Sequence, residues 1–126
     1  MKKNKILIIE DETVMRESLK DVLEKENYDI SVAADGEEGI ELIKSFSPDL
    51  ILLDIILPKK DGFDVLNELK DSNEDGKVDI PVVLLTNISG MENVQKALDL
   101  GATTYLVKAD YQLEEVVGKV KELIGR

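Results

Sequence analysis

Four short apolar runs punctuate the chain: Ile6-Leu7-Ile8-Ile9, Leu50-Ile51-Leu52-Leu53, Val82-Val83-Leu84-Leu85 and the weaker Tyr105-Leu106-Val107. Unbroken runs of this length suit strands covered on both faces, as in a parallel sheet, because a strand with one wet face alternates instead. Asp29 to Ala34 does alternate, through Ile30, Val32 and Ala34, which predicts a fifth strand in a less covered position near an edge. Between these strands the apolar spacing becomes helical. Met15, Leu19, Val22 and Leu23 mark a first helix, with Asp11-Glu12-Thr13 available to cap it. Ile40, Ile43 and Phe46 mark a second, and Val65, Leu66 and Leu69 a third, entered after Asp61-Gly62. Val94, Ala97 and Leu98 mark a fourth, stopped by Gly101, and a stripe from Leu113 to Ile124 marks the last.

The alternation contains no hairpin signal, so the pattern predicts five βα units. Right-handed crossovers turn such a chain into a parallel sheet with helices on both faces, an α/β fold. Sheets of this kind bind ligands beyond the carboxyl ends of their strands. The residues that follow each apolar run are therefore the first candidates for chemistry.

Composition narrows the classes. The chain has 126 residues, 43% of them hydrophobic, which suits a single domain spanning residues 1–126 with a core of Ile, Leu and Val. Acidic residues outnumber basic ones 27 to 16, a net charge of -11, which disfavours direct contact with nucleic acid or an anionic membrane. Cysteine and histidine are both absent, which removes disulfides, Cys/His zinc sites and serine–histidine triads. The apolar stretch behind the basic N-terminus stops at Glu10, far short of a signal peptide or a membrane span. A cytoplasmic location is expected.

At the strand ends stand Glu10 and Asp11, Asp54, Thr86 and Lys108. Three carboxylates gathered at one sheet edge repel one another unless a cation joins them, and magnesium is commonly held by a few carboxylates and waters. Thr86 and Lys108 add a hydroxyl and an ammonium, both suited to phosphoryl oxygens. Asp54, on the middle strand of the three, is the natural nucleophile.

In these residues the chain resembles the receiver domain of two-component response regulators, and the likeness runs over essentially its whole length. The matching stretches are Ile8-Ile9-Glu10-Asp11-Glu12, Leu52-Leu53-Asp54-Ile55-Ile56-Leu57-Pro58, Asp61-Gly62, Leu84-Leu85-Thr86, and Gly101-Ala102 through Tyr105-Leu106-Val107-Lys108. The resemblance implies a flavodoxin-like doubly wound (βα)5 three-layer sandwich with strand order 2-1-3-4-5. It also implies that Asp54 accepts a phosphoryl group from a sensor histidine kinase or phosphotransfer protein, with Mg2+ as cofactor. Asp11 would bind the metal directly, Glu10 through water, and Ile56 through its backbone carbonyl. Thr86 and Lys108 would hold phosphoryl oxygens, with Thr86 and Tyr105 moving as the switch. Such a domain is a signalling module and not an enzyme, beyond catalysing its own phosphorylation and dephosphorylation. No output domain is legible in these residues, so output is expected to run through an unidentified partner or a segment absent here.

Rival readings fare less well. A haloacid-dehalogenase-type phosphatase needs a second Asp two residues past the nucleophile, where this chain has Ile56. A receiver-like module that is never phosphorylated usually lacks one or more of the five site residues, and all are kept here. Asp71 to Gly76 matches the opening of an EF-hand loop, but its closing Glu would fall at Val82, inside a predicted strand. Two departures carry expectations of their own. Ile56 and Ile88, which in the family flank the path of the hydrolytic water, are both apolar, implying slow self-dephosphorylation. Ala109 replaces the usual proline after the site lysine, which predicts a trans Lys108–Ala109 peptide, since a non-proline cis bond costs about 2.5–4 kcal/mol.

Overall fold

Burial on both faces turns the apolar runs into the middle of the sheet. In the computed structural model, which describes residues 3–87, 91–109 and 112–124, strands β1 (Lys5–Ile9), β2 (Asp29–Ala33), β3 (Leu50–Asp54), β4 (Val82–Thr86) and β5 (Thr104–Val107) are parallel and lie in the order β2-β1-β3-β4-β5. Every residue of β3 and β4 is buried. The alternating segment forms edge strand β2, with a single fully buried residue, Ala33. The weak run forms the opposite edge, β5, all of it half-buried.

Helices α1 (Thr13–Lys25), α2 (Gly36–Phe46), α3 (Gly62–Asp71), α4 (Met91–Leu100) and α5 (Leu113–Ile124) complete three layers. Leu19, Leu23, Val116 and Val120 of α1 and α5 pack with Ile6, Ile8, Leu50 and Leu52 on one face of the sheet. On the other face, Val65, Leu66, Val94 and Ala97 of α3 and α4 meet Leu7, Ile9, Leu53 and Leu84, with Ile40 and Ile43 of α2 beside them. The fold is the flavodoxin-like (βα)5 arrangement.

Local signals behave as expected at most helix ends. Asp61 and Asp64 form a reciprocal capping box at the start of α3. Gly101, at a φ of 121°, follows α4. The cap expected from Asp11-Glu12-Thr13 does not form. Glu12 is the N-cap of α1, without a side-chain hydrogen bond, and its own N–H donates to Glu10 Oε2 at 3.1 Å. The would-be calcium loop also closes on itself: Lys77 N–H donates to Asp75 Oδ1 at 3.0 Å and Asn73 Nδ2 donates to the Lys77 carbonyl at 2.6 Å. Among the described residues the loop contributes to no cluster of three acidic groups.

One contact fixes the segment that follows the central strand. Gly36, the first residue of α2, sits so close to the loop between β3 and α3 that an added Cβ would overlap the Lys60 carbonyl oxygen. Lys59 of that loop adds an ion pair to the α2 cap residue Asp35 at 3.7 Å. Helix propensity alone favours alanine over glycine by about 1 kcal/mol. Overpacking against backbone reverses that sign, so Gly36→Ala should destabilise the domain by about 1–3 kcal/mol in urea unfolding. The neighbouring exposed change Glu37→Ala should stay within about 0.5 kcal/mol. A Gly36→Ala variant as stable as the parent would contradict this packing.

Candidate functional site

β1, β3 and β5 deliver their polar ends to one cleft because they run parallel in nearly matched register. Glu10 and Asp11 follow β1, Asp54 closes β3, and Lys108 follows β5. One carboxylate oxygen from each of Glu10, Asp11 and Asp54 lies within 4.8 Å of the others. The open cleft, about 430 Å³, is lined by these residues together with Glu12, Ile56, Asn87 and Lys108.

Lys108 is the cation that makes this cluster tolerable. Its Nζ lies 2.8 Å from Asp54 Oδ2, as a hydrogen bond, and 2.8 Å from Glu10 Oε1. The second contact is close enough for an ion pair but poorly aligned, so Glu10 Oε1 is buried without a hydrogen bond. The other oxygens have backbone donors: Glu12 N–H serves Glu10 Oε2 at 3.1 Å, and Ile56 N–H serves Asp54 Oδ1 at 3.1 Å. Three carboxyl groups against one ammonium leave the cluster short of positive charge. That deficit and the unaligned buried oxygen are what a hard divalent cation would relieve, and the all-oxygen donor set suits one.

The electrostatics show in two groups. Burial, with the Asp54 charge adding to it, pushes the Glu10 carboxyl up to about 7 against the opposing pull of Lys108. Burial alone would lower Lys108, yet its hydrogen bond to Asp54 and the close carboxylate of Glu10 outweigh that and hold the ammonium above its ordinary range.

The remaining site residues fall into place unevenly. Thr86 is buried at the end of β4, but its hydroxyl donates to the Asn87 carbonyl at 3.1 Å and does not line the cleft. Lys108 N–H donates to the Thr86 carbonyl at 2.7 Å, which ties the ends of β4 and β5 together. Tyr105 is half-buried on β5, against the face that carries α3 and α4. Ile56 is 66% exposed at the cleft, while Ile88, the other residue expected to flank the hydrolytic water, lies outside the described residues. No cis peptide occurs among the described residues, so Lys108–Ala109 is trans, and Lys108 still reaches Asp54. Sequence reasoning missed Asn87 in the cleft wall, and it missed Arg16, whose Nη1 donates to the Glu10 carbonyl at 3.0 Å and the Asp11 carbonyl at 3.4 Å.

The fold and this cleft have clear relatives. The chain belongs to the response regulator receiver domain family, whose model matches residues 6–121. It is 37% identical over 122 residues, 97% of the chain and 49% of the relative, to the DNA-binding dual master transcriptional regulator RpaA of Synechocystis. A two-component response regulator from Clostridium difficile superposes with a TM-score of 0.87 at 33% identity, covering 98% of each chain. The receiver domain of a sensor histidine kinase from Pseudomonas aeruginosa, with magnesium coordinated in its active-site cleft, matches at TM-score 0.83 and 25% identity, covering 99% of this chain and all of that one. The chain spans about half the length of the curated relatives it matches. It is thus a signalling module of the two-component kind, the family's phosphoacceptor role fits the cleft, and an unphosphorylated interaction module is not favoured. The expected absence of nucleic-acid contact gains no support, because RpaA is named as DNA-binding. No helix among the described residues is long and apolar enough to cross a membrane.

The raised Glu10 value has a pH signature. Between the ordinary 4.5 and about 7, the folded protein binds a proton that the unfolded chain has released. Glu10 therefore stabilises least above about 7, where it is ionised and buried, and the penalty fades as pH falls through that window. In chelator-treated protein, the stability of Glu10→Gln relative to wild type should rise from pH about 4.5 to about 7 and level off above. Urea unfolding across that range measures it, and a difference independent of pH would show that Glu10 titrates normally.

Proposed function

We propose that Asp54 is the phosphoryl acceptor of this receiver, beside magnesium held by Glu10, Asp11, Asp54 and the Ile56 backbone carbonyl. The observation that carries the reading is the Glu10–Asp11–Asp54 cluster with Lys108 bonded to Asp54. An Asp54 carboxylate oxygen attacks the phosphorus of a phosphohistidine on a sensor kinase or phosphotransfer protein. The new O–P bond forms as the N–P bond breaks, and the donor imidazole keeps the electron pair. Bound magnesium supplies the positive charge that lets carboxylates and phosphoryl oxygens approach one another.

This chain's own residues do the rest. Lys108, 2.8 Å from Asp54 Oδ2, passes its contact to an oxygen of the transferred group. The Thr86 hydroxyl leaves the Asn87 carbonyl to bond a second oxygen, and Tyr105 follows it as the far end of the switch. Residues 1–126 act as one receiver domain in the cytoplasm, catalysing only their own phosphorylation and its reversal. The active form engages an output partner or output segment. A net charge of -11 argues that the receiver itself leaves DNA phosphates alone, whatever the rest of the protein does.

Asp54→Asn should abolish the magnesium-dependent mass gain from a small-molecule phosphodonor while keeping the fold; a variant that gains the mass at the parent's rate would exclude Asp54. Magnesium should also stabilise the folded state, by about 2.7 kcal/mol at a hundredfold excess over Kd. Thermal melts at low salt should show that rise, and Asp11→Ala should remove most of it. Melting curves indifferent to millimolar magnesium would contradict the metal assignment.

A further inference from the structure

Arg16 stands in the first turn of α1, where the helix dipole favours anions and disfavours a cation. Its surroundings explain the placement. The side chain folds back, only 16% exposed, and Nη1 donates to the carbonyl oxygens of Glu10 at 3.0 Å and, more weakly, of Asp11 at 3.4 Å. Those carbonyls belong to the two residues whose carboxylates complete the acidic cluster with Asp54. The turn is also held at its two ends, by Glu10 N–H donating to the Ala33 carbonyl at 3.0 Å and Arg16 N–H to the Glu12 carbonyl at 2.9 Å, and neither bond takes up the carbonyls of Glu10 and Asp11. Glu12, the N-cap of α1, makes no side-chain cap bond, and within the turn its N–H donates to Glu10 Oε2. Nε makes a long contact with Glu17, at 3.9 Å, on the largely exposed side.

We propose that Arg16 is a positioning residue for the divalent cation, tethering the backbone of Glu10 and Asp11 so that their carboxylates stand preassembled beside Asp54. The inference rests on the magnesium reading above. It needs no contact between Arg16 and the ion, and the charge of Arg16 works against it, because a nearby guanidinium repels magnesium. That opposition makes the sign informative. If Arg16 acted through charge alone, neutralising it would tighten magnesium binding; if it acts through the tether, removing it weakens binding.

The test is calorimetric titration of magnesium into metal-stripped full chain, with amide hydrogen exchange in chelator as the second readout. Arg16→Met should bind magnesium roughly tenfold more weakly, the lower end of what loss of an outer partner costs a metal site. Arg16→Lys, which keeps the charge and part of the bonding, should fall between. Exchange at Asp11 to Thr13 should quicken in both variants while β3 stays protected, which separates a loosened turn from a loosened fold. Equal or tighter binding by Arg16→Met overturns the inference. Should that variant lose β3 protection, Arg16→Lys decides the matter, and parental affinity and exchange in it overturn the inference. A parent protein that binds no magnesium overturns the proposed function itself, and differs visibly from a parent that binds and variants that match it.

Discussion

The ammonium of Lys108, held 2.8 Å from both Glu10 and Asp54, is the contact on which the rest of the site depends. Carboxylates this deeply buried do not stay ionised without a partner, since moving a charge out of water is far costlier than any single packing contact. Lys108 answers part of that demand. It bonds well to Asp54, poorly to Glu10, and leaves Asp11 to solvent. The shortfall keeps the cleft receptive to a cation, since a site neutralised by its own side chains would have no use for a metal. The raised carboxyl of Glu10 and the raised ammonium of Lys108 are two views of this same imbalance.

The sheet makes the imbalance possible. β3 and β4, buried along their whole length, form a rigid centre, so Asp54 and Thr86 emerge at defined heights. Lys108 is tied to that centre through its backbone bond to the Thr86 carbonyl, and so reaches Asp54 without a proline behind it. The turn after β1 draws a further tie from α1, through Arg16 to the carbonyls of Glu10 and Asp11. On the far side of Asp54, Gly36 lets α2 press against the loop that follows β3, so that loop is braced by a helix start as well as by its own strand.

Much of this was legible before any coordinates. Continuous apolar runs mean burial on two faces, and that alone predicted the parallel core strands and, through alternation, the edge position of β2. The convergence of Glu10, Asp11, Asp54 and Lys108 followed from reading what comes after each strand. The strand order itself came from family resemblance, because apolar runs do not say which strand lies beside which. Side-chain direction was the part that pattern could not reach. Thr86 is where it was expected, yet its hydroxyl turns to the Asn87 carbonyl, a rotamer choice with no trace in residue spacing. Arg16 has no mark in residue spacing either, because its bonds go to backbone oxygens that every residue possesses. The missing cap on α1 is a matter of side-chain direction too: Glu12 stands at the cap position without a side-chain bond, and its own N–H goes to Glu10 Oε2.

The central claim is that this charge-deficient cleft places the phosphoryl group on Asp54 and nowhere else. It is tested most directly by treating the protein with a small-molecule phosphodonor and magnesium, trapping the acyl phosphate by borohydride reduction, and mapping the modified residue by peptide mass. The account predicts the reduced product at Asp54, dependent on magnesium and absent with chelator. Modification at Glu10 or Asp11 instead, or equal trapping without magnesium, would contradict it.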